Sequence, residues 1–220
     1  MNTAERAPRP RIQNLSDLVF GLALSISALT LIGHQPTTTS DFASSLGAYG
    51  FSFLILISIW QAYSWVTSML PAETTTLVDL NVILLFFVSI EPYLFNELFV
   101  ASGNLLGYVS STYAVDLTAM FIILAFFLHE LTREEKHLVS KTLIAQIKFR
   151  RNVTILGGIV LAISIYPYFG NILVFTVANG NKPYNFSLRS CLWLVALVLN
   201  WGFRLVTSLR GPTKTATATV

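Results

Sequence analysis

The chain has 220 residues, of which 54% are hydrophobic and only 11% are charged. Soluble domains carry about 25% charged residues, so this composition predicts a protein whose solvent is the lipid bilayer. The formal net charge is +3. The basic residues stand in short clusters beside apolar runs, which favours a role in membrane orientation and argues against binding of nucleic acid. The single cysteine, Cys191, excludes an internal disulfide, a CxxC redox motif and a thiolate zinc centre.

Apolar stretches recur along most of the chain. Each approaches the roughly 20 residues that a helix needs to cross the hydrocarbon core. Backbone groups in lipid must be hydrogen-bonded within their own segment, which favours helices. The sequence therefore predicts an all-α membrane protein with six transmembrane helices. These cover approximately residues 13–32, 46–69, 77–99, 108–131, 153–178 and 189–209.

The distribution of lysine and arginine predicts the orientation. Basic residues concentrate at both ends of the chain and between the fourth and fifth predicted helices, whereas only Lys182 and Arg189 fall on the other side. The positive-inside rule then places both termini in the cytoplasm of a multi-pass cell-membrane protein. The predicted domains are a cytoplasmic tail (1–11), a six-helix transmembrane domain (12–210) and a flexible cytoplasmic tail (211–220).

The stretch from Thr132 to Asn152 is the longest charged segment of the chain. The simpler interpretation is a solvated cytoplasmic connector. Apolar residues such as Leu143 and Ile147 alternate with the lysines, however, so an extension of one or both flanking helices is the alternative.

Ionisable side chains within membrane helices cost about 3 kcal/mol each on insertion scales, so each needs a partner or water. Asp17 and Asp116 are the strongest candidates for bonds to other helices, and each is a candidate neighbour of the other. The sequence gives no partner for Asp79 or Glu91. Four further ionisable residues lie near predicted helix ends, where their side chains can extend to the lipid headgroups. They are Glu97, His129, Glu130 and Arg189.

The first predicted helix carries an apolar stripe when its residues are placed at about 100° per residue. Small side chains beside the stripe would let neighbouring helices approach closely. An ordinary lipid-facing leucine stripe is the simplest interpretation. The polar residues of this short span, including Ser16 and Asp17, instead favour protein or water on several sides. The stripe consists of Leu18, Leu22, Ser25, Ile26, Leu29 and Gly33.

Motifs of several well-known activities are missing from the sequence. It contains no TVGYG filter, GxxxxGK[ST] loop, HExxH zinc motif or GxSxG nucleophile elbow. The histidines and aspartates show no spacing typical of a catalytic site. We therefore predict a protein that is not an enzyme and has no cofactor.

The start of the first helix resembles a known family. The run Arg11-x-x-x-Leu15-Ser16-Asp17-Leu18-Val19-Phe20-Gly21-Leu22-Ala23-Leu24-Ser25 is similar to the RxxxFSDGVFAIAIT signature of the transmembrane protein 175 family of potassium channels. Leu80-Asn81, followed by Phe86, Ser89 and Pro92, is similar to the third helix of that family. Ile165-Tyr166-Pro167 resembles its proline-bearing fifth helix.

The resemblance implies an architecture and a set of functional residues. Family members with one unrepeated set of six helices assemble as tetramers around helix one, which implies a homotetramer here. Leu22, Ile26 and Leu29 fall on the apolar positions that line the family's pore, and Ser25 falls on its pore-side hydroxyl position, where a permeant potassium ion would pass. The remaining matches imply an interhelical polar clamp that consists of Arg11, Ser16 and Asp17.

The sequence departs from the family pattern at several positions. Leu15, Leu18 and Gly21 replace the usual Phe, Gly and Ala, and Ser25 stands where Thr is more common. The family often has WxxHH after the second-helix tryptophan, but here Trp60 begins the run WQAYS. The histidines of the clamp are therefore missing, and Tyr63 or Gln61 is the candidate replacement.

These features predict a passive channel for monovalent cations, modestly selective for potassium over sodium, with a hydrophobic constriction formed by helix one. A secondary transporter that uses Asp17 or Asp116 as a proton or cation site is the main alternative. Such transporters contain repeats and helices broken at midplane. No internal repeat is visible in the sequence, although Gly157-Gly158 and Pro167 leave room for a broken helix. A non-conducting assembly protein of the membrane is a third interpretation.

Overall fold

The computed structural model describes residues 11–33, 38–69, 75–134, 141–177 and 184–209. The predicted C-terminal tail and all of the N-terminal tail except Arg11 lie outside these ranges. The described chain has six long helices, one short helix and a hairpin of two strands. In chain order they are α1 (Arg11–Gly33), α2 (Thr39–Thr67), α3 (Thr75–Val100), α4 (Asn104–Glu134), α5 (Lys141–Ser164), α6 (Tyr168–Asn171), β1 (Leu173–Val177), β2 (Tyr184–Ser187) and α7 (Leu188–Leu209).

Three of the described helices are long and apolar enough to cross a membrane. They are α2, α3 and the part of α4 up to Thr132, whereas Gln13–Leu29 and Leu188–Gly202 form shorter apolar helices. The prediction of a multi-pass membrane protein is confirmed at this level. The crossing of the membrane by six helices stays a prediction.

Helix α2 begins seven residues before the predicted start, at Thr39 rather than 46. The hydroxyl oxygen of Thr38 accepts a hydrogen bond of 3.1 Å from the backbone N–H of Asp41 and so caps the first turn. Asp41 lies in that turn, where a negative charge is favoured by the helix dipole. The added turn is polar, which is why a hydropathy pattern misses it.

The fifth helix differs from the prediction at both ends. It spans Lys141–Ser164 instead of 153–178, and a turn, α6 and strand β1 follow it. Pro167 explains the end, because proline disfavours helical conformation in the preceding residue. The early start agrees with the alternative prediction, in which a flanking helix extends into the charged segment. Residues of this extension pack against the bundle: Ile147 is buried, and the guanidinium carbon of Arg150 lies 4.1 Å from the centre of a Trp65 ring.

Strands β1 and β2 pair antiparallel, with Leu173 opposite Ser187 and Val177 opposite Tyr184. The hydropathy pattern predicts the end of a helix and a connection in this region, so the hairpin was not predicted. The fold is therefore helical with one small β element between α6 and α7.

Helix α4 lies at the centre of the bundle, packed against α3 on one side and α5 on the other. Its buried side chains recur every three or four residues, as expected for a helix enclosed by neighbours. Gly157 allows the close approach of α5, because a Cβ at this position would lie only 2.8 Å from Cε1 of Phe121. The buried apolar side chains of α4 are Tyr113, Ala114, Leu117, Met120, Phe121, Ile123, Leu124, Phe127, Leu128 and Leu131.

Candidate pore helix and its polar anchors

Helix α1 has one face packed into the bundle and one face that is exposed in the single chain. The buried face consists of Ser16, Phe20, Ala23 and Ser27. Their spacing of four, three and four residues places them on one side of a helix. Two of the four are polar, so this face combines tight packing with hydrogen bonding.

The exposed face of α1 carries the predicted stripe. Leu22 is 61% exposed, Ile26 40% and Leu29 59%, and Leu15 and Leu18 are also exposed. Ser25 lies on the same face, where its hydroxyl donates a hydrogen bond of 2.8 Å to the carbonyl oxygen of Gly21. The structure thus brings together all four residues predicted to line a pore, on a surface that no described part of the same chain covers.

Ser16 joins α1 to both neighbouring helices. Its hydroxyl lies 2.8 Å from the hydroxyl of Tyr63 on α2 and donates a hydrogen bond of 3.1 Å to Oδ1 of Asn81 on α3. All three side chains are buried. Tyr63 occupies the first histidine position of the WxxHH pattern and was one of two candidates to replace the missing histidines. It is hydrogen-bonded to Ser16.

Asp17 makes a separate link to α2. Its Oδ1 accepts a hydrogen bond of 2.9 Å from the indole N–H of Trp60. No described contact joins Asp17 to Asp116. Asp116 instead lies one helical turn after Tyr113 on α4, and Tyr113 bonds to Glu91 of α3. The side chain of Arg11, the third predicted member of the clamp, lies outside the described residues.

A second polar cluster connects the same helices farther along α1. The hydroxyl groups of Ser27 and Ser52 lie 3.3 Å apart, and Ser52 donates to Oε1 and Oε2 of Glu91 at 3.1 and 3.2 Å. Tyr113 of α4 donates to Oε1 at 3.1 Å. Glu91 had no predicted partner. Ser27 was among the polar residues of the first helix that favoured a protein environment, whereas Ser52 and Tyr113 were not singled out, because serine and tyrosine are ordinary in apolar helices.

The two clusters fix the directions of the helices. Ser16, early in α1, bonds to residues late in α2 and early in α3. Ser27, late in α1, contacts Ser52 in an earlier part of α2, and Ser52 bonds to Glu91 in the later part of α3. Helices α1 and α3 are thus parallel and α2 is antiparallel to both. Arg150, in the first half of α5, lies against Trp65 near the end of α2, so the basic first half of α5 lies at the same end of the bundle as the start of α1.

The prediction that Arg189 reaches toward the lipid headgroups is wrong. It is only 1% exposed. Its guanidinium group donates to the carbonyl oxygens of Tyr166 at 3.2 Å and Ile165 at 3.5 Å, and it also bonds to the hydroxyl of Ser110. A side chain near a helix end can therefore turn inward when a neighbouring helix end, here that of α5, presents free carbonyl groups.

The fold and the site define a multi-helix membrane protein with polar anchors behind an exposed apolar helix face. The family model "Endosomal/lysosomal potassium channel TMEM175" matches residues 11–92, which include α1, α2 and most of α3. This match confirms the resemblance predicted from the start of α1.

Comparison with solved structures extends the likeness of the fold to nearly the whole chain. The crystal structure of a lysosomal potassium-selective channel TMEM175 homolog from Chamaesiphon minutus is similar, with a TM-score of 0.58 and 18% sequence identity. The match covers 90% of this chain and 96% of the other. Comparison with curated proteins gave no match.

Proposed function

We propose that the chain is one subunit of a passive potassium channel and that the exposed face of α1 lines the ion pathway. The observation that carries this proposal is the difference between the two faces of α1. The buried face is hydrogen-bonded to neighbouring helices, and the exposed face is apolar and uncovered. The family match over residues 11–92 and the shared fold support it, because both comparisons involve potassium channels.

The proposed assembly is a homotetramer in which four copies of α1 surround one axis. Leu22, Ile26 and Leu29 project from the exposed face, so each would contribute to an apolar ring. Hydrocarbon side chains offer no replacement for the water that an ion loses. Rings of this kind favour the cation that gives up water at the lower cost, which is potassium rather than sodium, and the selectivity should be modest.

Ser25 is the proposed polar contact for an ion between the apolar rings. Its hydroxyl hydrogen is engaged by the carbonyl oxygen of Gly21, which leaves the lone pairs of the hydroxyl oxygen directed away from that bond. An oxygen with free lone pairs suits contact with a partly hydrated potassium ion. Four serines around the axis would supply four such oxygens.

Ser16 and Asp17 are proposed to hold α1 in this position without contacting ions. Each bonds to a neighbouring helix, Ser16 to Tyr63 and Asn81 and Asp17 to Trp60. Because these bonds lie behind or at the side of the exposed stripe, they fix the rotation of α1 about its axis. The direction in which Leu22 and Ile26 point depends on that rotation.

Reversal potentials in planar bilayers test the proposal. Leu22→Ala and Ile26→Ala should widen the constriction and lower the preference for potassium over sodium. Ile83→Ala is the matched control, since Ile83 is an exposed apolar residue of α3 that is not part of the stripe. Unchanged reversal potentials in both α1 variants would contradict a pore formed by this face.

The same recordings separate the channel from the transporter that the sequence left open. A channel gives unitary currents that follow the electrochemical gradient of the permeant ion. Potassium flux that requires a proton gradient, without unitary currents, would favour a transporter and contradict the proposed mechanism.

A further inference from the structure

The interior of the bundle holds two carboxylic acids that the proposed ion pathway does not use. Glu91 on α3 is fully buried and Asp116 on α4 is 3% exposed. Asp116 follows Tyr113 by three residues, which places the two one turn apart on the same side of α4. Tyr113 donates a hydrogen bond of 3.1 Å to Oε1 of Glu91, so Asp116 lies near Glu91. Two negative charges side by side in a membrane interior are strongly unfavourable, so the pair needs a cation or a proton.

The hydrogen bonds of the two acids differ completely. Glu91 accepts from the hydroxyl groups of Ser52 and Tyr113, and these donors favour a negative charge on Glu91 over one on Asp116. Neither oxygen of Asp116 has a hydrogen-bond partner within the described part of the chain. A buried carboxylate without donors is costly, whereas a protonated carboxyl group has a hydrogen to donate and carries no charge.

Among the residues that the structure describes, the groups that face the pair from the surrounding helices supply no positive charge. Helix α2 contributes the hydroxyl of Ser52, behind which lies Ser27 of α1, and α4 contributes Tyr113. From α7, Trp193 packs against the Tyr113 ring at 4.9 Å between ring centres. Arg189 of α7 instead bonds to Ser110 and to backbone carbonyl groups.

A metal ion fits this site less well than a proton. Metal ions need several oxygen, nitrogen or sulfur ligands around one point. Among the described residues, no three His, Cys, Asp or Glu side chains converge in a way that could hold one. A proton needs only one oxygen to hold it, and the unpartnered carboxyl group of Asp116 supplies one.

We propose that Glu91 and Asp116 form a proton-binding site between α2, α3 and α4. Asp116 carries the proton on one carboxyl oxygen, and Glu91 remains the charged acceptor of the two hydroxyl bonds. Binding one proton from water reduces the formal charge of the pair from two negative charges to one. This site is separate from the exposed face of α1 and does not depend on the proposed function.

Infrared spectroscopy of the purified full-length protein in lipid bilayers tests the site directly. At neutral pH, we expect a C=O stretching band of a protonated carboxyl group that shifts when the protein is made with ¹³C-labelled aspartate. The labelling needs no substitution, so it decides the question even if a variant fails to fold. A wild-type spectrum without a protonated aspartate band would overturn the proposal.

Two variants assign the band. Asp116→Asn should abolish it, and the neutral amide should preserve the fold because it resembles a protonated acid. Asp79→Asn is the control, since Asp79 is exposed on α3, and this variant should keep the band. A band that survives in Asp116→Asn, or one that appears only after sodium and potassium are removed, would contradict the proposal, the latter because it would identify a cation site.

Discussion

The two faces of α1 differ in a way that reverses the rule for soluble helices. The buried face contains Ser16 and Ser27, and the exposed face contains Leu22, Ile26 and Leu29. In lipid, apolar side chains have no hydrophobic driving force to face other helices, although they still gain packing contacts there, whereas polar groups must find partners inside the protein. Polar residues therefore mark where α1 contacts its own subunit, and apolar residues mark the surface that it offers to lipid or to other copies.

The largest expected effect concerns the buried face. Ser16→Leu adds bulk at a fully buried position and removes the bonds to Tyr63 and Asn81. Overpacking costs about 1–3 kcal/mol, and each lost bond adds about 0.6 kcal/mol, so most of the assembled protein should be lost. The yield after size-exclusion chromatography in detergent measures this. A normal yield would show that the buried face of α1 does not fix this helix against its neighbours.

The same substitution on the exposed face should have a different result. Ser25→Leu keeps the assembly but replaces the proposed polar contact with a hydrocarbon. An added barrier of about 1.4 kcal/mol would lower the potassium current about tenfold. Single-channel conductance of the assembled variant provides the measurement. Loss of assembly with Ser25→Leu, as with Ser16→Leu, would erase the distinction between the two faces.

Asp17 lies between the two faces and should behave as an anchor. Asp17→Ala removes the acceptor of the Trp60 N–H, so it should lower assembly or expression more than it changes ion selectivity. In a double-mutant cycle with Trp60→Phe, the coupling energy should be about 0.6 kcal/mol, the average for hydrogen bonds between membrane helices. Normal assembly with lost discrimination would place Asp17 in the ion pathway instead.

The smallest expected effect comes from Tyr63→Phe. This change removes one hydroxyl and leaves the ring in contact with Phe20 and Phe127, each at 5.9 Å between ring centres. The cost should be about 0.6 kcal/mol, seen as a small fall in the thermal midpoint with unchanged selectivity. A fall as large as that of Ser16→Leu would mean that the tyrosine hydroxyl, rather than Ser16, organises the anchor.

Hydropathy and helical spacing were sufficient to predict that six long helices exist and that the apolar stripe residues of α1 share one face. They succeeded because both are local properties: an apolar run of the right length forms a helix in lipid, and residues three or four apart share a face. The same logic failed for α5, where the polar first turns are helical and Pro167 ends the regular structure early.

Apart from Tyr63, which the resemblance offered as a candidate, the polar partners could not be predicted, because they depend on how separate helices meet. Glu91 bonds to Ser52, which is 39 residues away, and Ser16 bonds to Asn81, which is 65 residues away. Nothing in the local sequence distinguishes Ser52 from other serines of α2. Arg189 shows the same limit, since its carbonyl partners are created by the end of α5.

Silver ions offer the most direct test of the central claim that the exposed face of α1 lines the ion pathway. They carry one positive charge and react with thiols. In a Cys191→Ser background, silver should block the current of Leu22→Cys and Ile26→Cys and leave that of Ala23→Cys, on the buried face, unchanged. Block at Ala23→Cys alone, or at none of the three, would contradict the account.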